Sequence, residues 1–372
     1  MKIKLLDIEK KSESRNDKSL GIQTYGESND YPQQVMNLLA ASCTGGSCYS
    51  NYRKFVTGKG FADLNIYGKK INRQNHTLDY LLEQITNDLA MFGGFAMHVN
   101  YNANFKVSEV QYIPFEQVRF EKLNENGEFN RVALHPDWAR QFTALRKWKK
   151  DDICFINFFN PDPEIIAMQV ENAGGWAKYK GQVFYFSNEG DKCYPLPIFN
   201  DVLTDMNTEE AISNLTNRNA TKNFFPAGML INKRQRAESE EQESETERSL
   251  LEFQSSKNAC KIFYVEVESD EEIPEFVPFR ATNYDKEFSV SRDSAKDNIG
   301  RSFNQPPILR SENIGGNFGA DLMKNAYNYY NSVTENERII LERNLTAIFT
   351  HWWQPFEMNF KITPLSYNYS EE

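Results

Sequence analysis

Two long helix-compatible stretches in the middle of the chain are too polar to be ordinary core helices. Residues 198 to 223 contain no glycine or proline, but six asparagines interrupt their thin apolar stripe. The stretch from about 283 to 303 puts Phe288, Ala295, Ile299 and Phe303 on one face among many charged residues. A helix is stabilised mainly by burying an apolar face, so the first stretch is hard to justify in isolation. We predict that it packs side by side with copies of itself.

The rest of the composition describes a folded, polar protein with more than one packed unit. Its 372 residues and 43.2 kDa exceed what one small core can hold. Hydrophobic residues make up 40 % and the mean hydropathy is −0.65, which fits a packed core under a polar surface. The sequence contains no apolar run of membrane-spanning length and its beginning lacks a signal-peptide pattern. We therefore expect a cytosolic product with no membrane partner.

The charge is negative and unevenly distributed. The formal net charge is −10, of which residues 197 to 307 contribute −8 from 21 acidic and 13 basic side chains. Proteins that grip nucleic acid through its phosphates usually carry a clustered basic surface. The middle of the chain is therefore a separate electrostatic unit, and any DNA partner is expected to be held loosely.

Before the first polar stretch, the sequence predicts helices followed by strands. A polar leader precedes a helix over about 32 to 41, which Cys43-Thr44-Gly45-Gly46 is expected to break, and a second helix runs from Ser47 to Gly58. A third spans about 77 to 92 and ends at Gly93-Gly94. The segments FAMHVNY, FKVSEVQYI, QVRFEKL and FNRVALH then predict an antiparallel meander, which ICFINFF and QVFYFS extend, with NPDP and Gly174-Gly175 as loop signals.

Between the two polar helices, the sequence predicts a small β-α-β insert. Its parts are a strand GMLIN, an acidic run at 238 to 247, a helix SLLEFQSSK and a strand KIFYVEV at 261 to 267. A second acidic run at 266 to 275 leads to the second polar helix, which Pro306-Pro307 is expected to end.

The last part of the chain combines a loop with the longest helix-compatible stretch. Residues 311 to 319 are rich in glycine and asparagine, which predicts a loop. From about 320 to 349 the apolar residues recur at helical spacing, with a bend expected near 332 to 334 and a capping box of Thr334 and Glu337. The tail is expected to hold one short strand and to fray.

Residue patterns that support catalysis are weak. The four histidines show no metal-ligand spacing, and Cys43 and Cys48 lack a second pair to complete a zinc site. The basic cluster at 146 to 150 fits a surface turn better than a nucleic-acid contact. We expect no enzyme activity, no catalytic residue, no metal site and no cofactor.

Three segments resemble the portal proteins of tailed bacteriophages, and their order matches as well. They are YPQQVMNLLAASCTGGSCYSNYRKFVTGKGF, FGGFAMHVNYN followed by VQYIPFEQVRF, and NQPPILRSENIGGNFGADLMKNAYNYY. The number and order of the segments carry the resemblance, which covers most of the chain. It implies an α+β subunit of a homo-oligomeric ring, commonly of twelve copies, at one capsid vertex of the virion, assembled in the bacterial host cytoplasm.

The resemblance also assigns regions and partners. It implies a mixed α/β N-terminal wing at 1 to 196, a two-helix stem at 197 to 225 and 281 to 307, a β-α-β clip at 226 to 280, a tunnel loop at 308 to 319, and a long kinked wing helix with the tail at 320 to 372, with a reduced crown. The implied partners are double-stranded DNA in the channel, the large terminase, the major capsid protein and head-tail adaptor proteins.

Two sets of residues are expected to act in those roles. The tunnel-loop candidates are Arg310, Asn313, Ile314, Gly315, Gly316, Asn317 and Phe318. The clip candidates for terminase or adaptor docking are Glu238, Glu240, Glu241, Glu243, Glu245, Asp270, Glu271 and Glu272. Two alternatives stay open. One is another ring-forming head-tail connector. The other is a carboxylate-dependent nuclease of a mobile element, which is supported only by the abundance of acidic residues.

Overall fold

A computed structural model describes most of the chain. The described residues are 14–124, 127–138, 152–190, 193–222, 228–231, 275–278, 284–310, 320–357 and 359–367. They belong to two compact units. The first unit consists of Met1–Asn207 with Lys296–Glu372, and the second of Thr208–Ala295.

Helices and strands are both present, as the predicted α+β class requires. The described α-helices are α1 Tyr31–Ala41, α2 Cys43–Thr57, α3 Leu64–Tyr67, α4 Leu78–Phe92, α5 Pro163–Ala173, α6 Leu203–Lys222, α7 Tyr284–Ser302, α8 Ala320–Val333 and α9 Glu335–Phe349. The described strands are β1 Asn16–Asp17, β2 Ile22–Gln23, β3 Gly94–Tyr101, β4 Val107–Ile113, β5 Val118–Glu121, β6 Arg131–Leu134, β7 Cys154–Phe158, β8 Gln182–Ser187, β9 Gly228–Ile231 and β10 Glu275–Pro278.

One mixed sheet of eight strands forms the centre of the first unit. Its strand order is β1-β2-β5-β6-β7-β8-β3-β4. The predicted continuous meander is therefore wrong: β3 and β4 form a hairpin, but β4 lies at one edge while β5 pairs with β2 and β6. Pro114 and the 3-10 turn Phe115–Gln117 separate β4 from β5. Local alternation of apolar residues identifies strands, but it does not say which strands pair.

A helix that the sequence analysis missed connects β7 to β8. These two strands are parallel neighbours, which requires a crossover connection, and α5 provides it. The NPDP and Gly174-Gly175 signals are the ends of this helix. Asp162 caps the first turn by accepting a hydrogen bond from the Glu164 N–H at 2.9 Å, Pro163 occupies a first-turn position, and Gly174 has the left-handed conformation with φ of 81°.

The break between α1 and α2 is shorter than predicted. Cys43, Thr44, Gly45 and Gly46 lie inside α2, and the chain breaks at Ser42 alone. The Ser42 hydroxyl caps α2 by accepting from the Gly45 N–H at 2.9 Å. Gly45 allows a close approach, because a Cβ there would lie 3.0 Å from the Sδ and the Cε of Met206 in α6. The two glycines thus serve packing rather than a turn.

The hydrophobic core lies between the helices and the sheet. Helix α4 buries Leu78, Leu81, Leu82, Ile85 and Leu89, the stripe that the sequence predicts, and ends at Gly93 with φ of 80°. It packs against α2 on one side and β3 on the other. Leu20 and Ile22, from the polar leader, belong to a second, smaller cluster with Ala133, Trp138 and Ile153.

The long C-terminal helix bends where predicted, but by a different mechanism. Helices α8 and α9 meet at Thr334. The predicted capping box is wrong: the Thr334 hydroxyl donates to the Tyr330 carbonyl at 3.0 Å, and Glu337 accepts from the Tyr52 hydroxyl at 2.8 Å. Arg338 holds the bend from inside, donating to Thr334 Oγ1 at 2.8 Å and to the Phe55 carbonyl at 2.9 Å.

The tail does not fray over residues 359–367. Ile362 forms an antiparallel bridge with Phe61, and the Ala62 N–H donates to the Lys361 carbonyl at 2.7 Å. The Thr363 N–H donates to the Gly60 carbonyl at 2.9 Å, and Phe360 and Ile362 are buried. Main-chain pairing and two apolar anchors hold this segment, so the expectation of a loose end is wrong there.

Candidate functional site: the base of the two polar helices

The two polar helices predicted as a stem are present, and the first unit holds their bases side by side. Helix α6 follows Pro195 and Pro197 through a 3-10 turn at Asn200–Val202. Phe199, just before that turn, stacks on Phe303, just after α7, with ring centroids 5.1 Å apart. Both rings are fully buried. This aromatic pair joins the start of one helix to the end of the other.

Hydrogen bonds reinforce the junction from the N-terminal region. The Tyr31 hydroxyl donates to Asn200 Oδ1 at 2.6 Å, and the Tyr25 hydroxyl donates to the Pro195 carbonyl at 2.7 Å. Burial raises the pKa of Tyr25 well above its ordinary value, so it remains a neutral donor. The segment that enters α6 is therefore fixed in position by residues about 170 positions earlier in the chain.

The helices also contact each other directly at this level. Asn298 Nδ2 of α7 donates to Asp205 Oδ1 of α6 at 3.3 Å, and the Ser302 hydroxyl donates to the Ile198 carbonyl at 3.1 Å. Met206 on the first turn of α6 is fully buried. The first unit thus holds the first turn of α6 and the last turns of α7 together.

Helix α7 ends at Ser302 in a Schellman motif, four positions before the predicted stop at Pro306. Asn304 has a left-handed φ of 49°, the Asn304 N–H donates to the Arg301 carbonyl at 2.9 Å, and the Gln305 N–H donates to the Gly300 carbonyl at 3.1 Å. The Tyr330 hydroxyl of α8 donates to the Phe303 carbonyl at 3.1 Å. Pro307 then begins the 3-10 turn Pro307–Arg310 instead of ending the helix.

Farther along, the two helices bury little. In the second unit the side chains described on them are 208–217 and 289–295, of which Glu209, Ile212 and Ala295 are buried. Residues 289–294 of α7 are all exposed, including Val290 at 64 %. Among the described residues, few side chains of these helix turns are buried.

Of the predicted tunnel-loop residues, the structure describes Arg310. Its guanidinium packs against Gly300 of α7, at the foot of the loop. Asn313, Ile314, Gly315, Gly316, Asn317 and Phe318 lie outside the described residues. Their assignment to a channel stays a prediction.

The predicted clip residues also lie outside the described part of the chain. This holds for Glu238, Glu240, Glu241, Glu243, Glu245, Asp270, Glu271 and Glu272, and for the predicted strand at 261 to 267. The predicted GMLIN strand is confirmed as β9, and it pairs antiparallel with β10 in register Ile231 with Glu275. Strand β10 was not predicted, because an acidic run precedes it. The pairing brings the two ends of the insert together.

The described residues contain neither a metal-binding cluster nor a membrane-spanning helix. Among them, no group of three or more histidine, cysteine or carboxylate side chains is placed to hold a metal ion. In the same residues, no helix is both long and apolar enough to cross a membrane. Sequence reasoning missed Tyr31, Asn200, Gly300 and Asn304 as junction residues. Pro195 and Pro197 could have indicated the junction from the sequence, because prolines often mark the place where one element ends and the chain turns.

Known structures similar to this chain include chains of gene transfer agent particles and a phage portal protein. The chain is similar to a neck protein of an empty gene transfer agent particle, with 14 % identity, a TM-score of 0.46, and 86 % of this chain and 82 % of that chain covered. The corresponding neck with C12 symmetry gives 15 % identity, a TM-score of 0.44, and coverage of 85 % and 81 %. An HK97-family phage portal protein from Corynebacterium diphtheriae gives 11 % identity, a TM-score of 0.38, and coverage of 78 % and 82 %.

No protein-family model and no curated protein matches the chain. The resemblance to portal proteins that the sequence suggests is met again among the structural neighbours. Sequence identities of 11–15 % do not assign a function to this chain.

Proposed function

We propose that this chain is the subunit of a phage portal ring, a closed assembly of copies at one capsid vertex through which double-stranded DNA passes. One observation carries the proposal. Two long polar helices are rooted side by side in a well-packed body, yet the side chains described farther along them are mostly exposed. Helices of this kind are stable when copies of the chain pack around an axis, because each copy then buries its neighbour's helices.

The charge distribution supports a channel rather than a DNA-binding surface. Residues 197 to 307 carry a net charge of −8, so a ring of copies would place acidic residues along its stem and clip. Duplex DNA sliding past such a wall is repelled instead of captured, since tight binding depends on neutralising phosphates with lysine and arginine. In the ring, DNA contact falls to Arg310 and to the loop residues from Asn313 to Phe318.

The remaining roles follow from the same assignment. The acidic insert at 226 to 280 docks the large terminase during packaging and head-tail adaptor proteins afterwards, and the wing meets the major capsid protein. A ring of twelve copies at the portal vertex of the virion, assembled in the host cytoplasm, is the arrangement proposed. In this proposal, the protein conducts DNA and joins the head to the tail, and it has no catalytic role.

Particle imaging tests the proposal directly. The full chain is purified and its mass measured by native mass spectrometry, with negative-stain images viewed down the particle axis, alone and together with the other head proteins of its phage. We expect rings with a central channel. A monomer that persists in both preparations over a wide range of salt and concentration would reject the proposal. Rings located along the tail instead of at the head vertex would favour a different connector.

A further inference from the structure

A partly open cavity lies between the end of α2 and the exposed side of α4, within the first unit. Its volume is about 440 Å³. Gly58 has a left-handed φ of 61°, and a Cβ there would overlap the Thr363 carbonyl oxygen, so glycine lets the tail pass directly against the end of α2. The tail then closes one side of the cavity with Leu365. The other sides are lined by Arg53, Lys54, Thr57, Glu83, Gln84 and Asn87.

Arg53 and Lys54 place two positive charges in the wall of this cavity. No ion pair between described residues includes either of them. Glu83 is the one acidic side chain among the lining residues, so the cations outnumber the carboxylates. At physiological ionic strength, charges more than about 8 Å apart are largely screened. The lining residues, and not the net charge of the whole chain, therefore decide which ligands the cavity attracts.

Neutral groups hold the Arg53 guanidinium in position. Its Nη1 donates to Asn87 Oδ1 at 3.1 Å, and the Tyr49 hydroxyl donates to the same oxygen at 2.7 Å. Burial raises the pKa of Tyr49 above its ordinary value, so the hydroxyl stays neutral and does not compensate the guanidinium. A guanidinium carries five N–H donors in a planar fork. Fixing it through one of them leaves the others for a ligand.

The end of α2 does not need the Lys54 ammonium. A lysine in the last turn of a helix often interacts with the final carbonyls. Here the Lys54 carbonyl accepts from the Gly58 N–H at 2.9 Å, and the Phe55 carbonyl accepts from Arg338 Nη1 at 2.9 Å. The ammonium is exposed and remains available to a ligand.

The lining favours a peptide over other anions. Duplex DNA is held by several cations at once, and the Glu83 carboxylate would repel its phosphates. The cavity is also much larger than one inorganic anion. Gln84 adds a neutral amide for a peptide main chain, and Leu365 adds an apolar contact. Two cations beside an amide and an apolar side chain suit a peptide that carries carboxylates.

We infer that this cavity binds an acidic peptide segment of a partner protein, with Arg53 and Lys54 each pairing with a carboxylate. The Arg53 fork suits a two-point contact, whereas the Lys54 ammonium acts as a single point charge. The inference goes beyond the function proposed above. It does not depend on ring formation, because every lining residue belongs to the first unit of one copy.

Peptide binding to the full chain tests the site. The probe is a fluorescent peptide with four glutamates, and its neutral control has glutamines in their place. In fluorescence anisotropy we expect saturable binding of the probe by the wild type. Arg53→Glu and Lys54→Glu should each weaken it at least about tenfold, because they set like charges against each other. Lys70→Glu reverses the charge of an exposed lysine that does not line the cavity, and it should bind as the wild type does.

Glu83→Gln gives an independent readout in the opposite direction. It removes the carboxylate that repels the probe, so binding should become about two- to fivefold stronger. A folding defect would weaken binding, so this variant decides the matter if a charge-reversal variant fails to fold. Unchanged or weaker binding by a folded Glu83→Gln chain would overturn the inference.

Competition separates the possible occupants. Neither inorganic phosphate nor a duplex oligonucleotide should displace the probe at concentrations at which the unlabelled peptide does. Displacement by either would overturn the inference, because the cavity would then be a site for a free anion or for nucleic acid. Equal binding of the glutamine peptide, or no binding by the wild type, would overturn it as well. Binding that appears only after residues 368 to 372 are removed would also overturn it, since Glu371 and Glu372 of the same chain would then be the occupants.

Discussion

The guanidinium of Arg310 lies so close to Gly300 of α7 that a Cβ at position 300 would overlap it. This contact joins the last turns of the second polar helix to the foot of the predicted tunnel loop. Gly300→Ala should force the guanidinium to move, so that it destabilises the fold by up to about 1 kcal/mol although alanine is the better helix former. Urea unfolding of the full chain measures the change.

The matched control for Gly300→Ala removes the Arg310 side chain. In an Arg310→Ala background, Gly300→Ala should cost nothing or stabilise slightly, because the space that the guanidinium occupied is then empty. Equal losses in both backgrounds would show that the helix needs glycine at 300 for another reason.

The left-handed residue that ends α7 makes a second prediction. Asn304 has φ of 49°, a conformation that a β-branched residue adopts at a cost of about 1–2 kcal/mol. Asn304→Val should lower the free energy of unfolding by about that amount, whereas Asn304→Gly should leave it unchanged or raise it. Denaturation of the two variants beside the wild type checks both directions. Similar losses in the two would contradict the assignment of the helix end.

The buried carboxyl of Asp88 predicts a pH dependence of stability. Desolvation raises its pKa well above the ordinary value of 3.8, although hydrogen bonds from Tyr112 and the Phe115 N–H act in the opposite direction. Above pH 3.8 the unfolded chain loses this proton more readily than the folded chain does. The contribution of Asp88 therefore falls as pH rises from about 4 towards the raised pKa.

Asp88→Asn tests that sign. The variant should become progressively more stable relative to the wild type between pH 4.5 and 7.5 in urea unfolding, because it has no proton to lose. Glu83→Gln, on the exposed side of the same helix, controls for the loss of one carboxylate. A difference between Asp88→Asn and the wild type that does not change with pH would refute the prediction.

The ordered tail predicts a stability role for residues beyond the last helix. Ile362 is 2 % exposed and bridges Phe61, so Ile362→Ala should cost about 2–5 kcal/mol. Lys361→Ala removes an exposed neighbouring side chain and should change the free energy of unfolding by no more than about 0.5 kcal/mol. Unfolding curves that coincide for the two variants would mean that the tail contributes nothing to the core.

A deletion separates assembly from DNA passage. Removing residues 312 to 318 should leave rings of normal size, since the residues before and after this segment are held by the first unit through Arg310 and the α8 contacts. The amount of DNA packaged per particle should fall, because the loop is proposed to contact the moving duplex. Loss of assembly would instead show that the segment is structural.

Sequence patterns predicted a helix or strand correctly where residues within a few positions of one another determine it. Helix α4 has five apolar residues at helical spacing and a glycine stop, so its bounds are predicted almost to the residue. The thin apolar stripes of α6 and α7 likewise predicted helices that the described chain leaves largely uncovered. The spacing of apolar residues involves positions only a few residues apart, so it is visible in the sequence itself.

Tertiary structure decided the features that depend on distant residues. Gly45 was interpreted as a helix breaker, but it lies inside α2, where Met206 packs close to it; Glu337 was interpreted as half of a capping box, but it bonds to Tyr52. The place of β5 beside β2 has no local signature either. By itself the sequence determined most of the helices and strands, although not α5 or β10, and it identified the thin apolar stripes of α6 and α7. Only the folded chain decided the pairing of strands and the junction of the two polar helices, because those depend on contacts between residues that chain order leaves far apart.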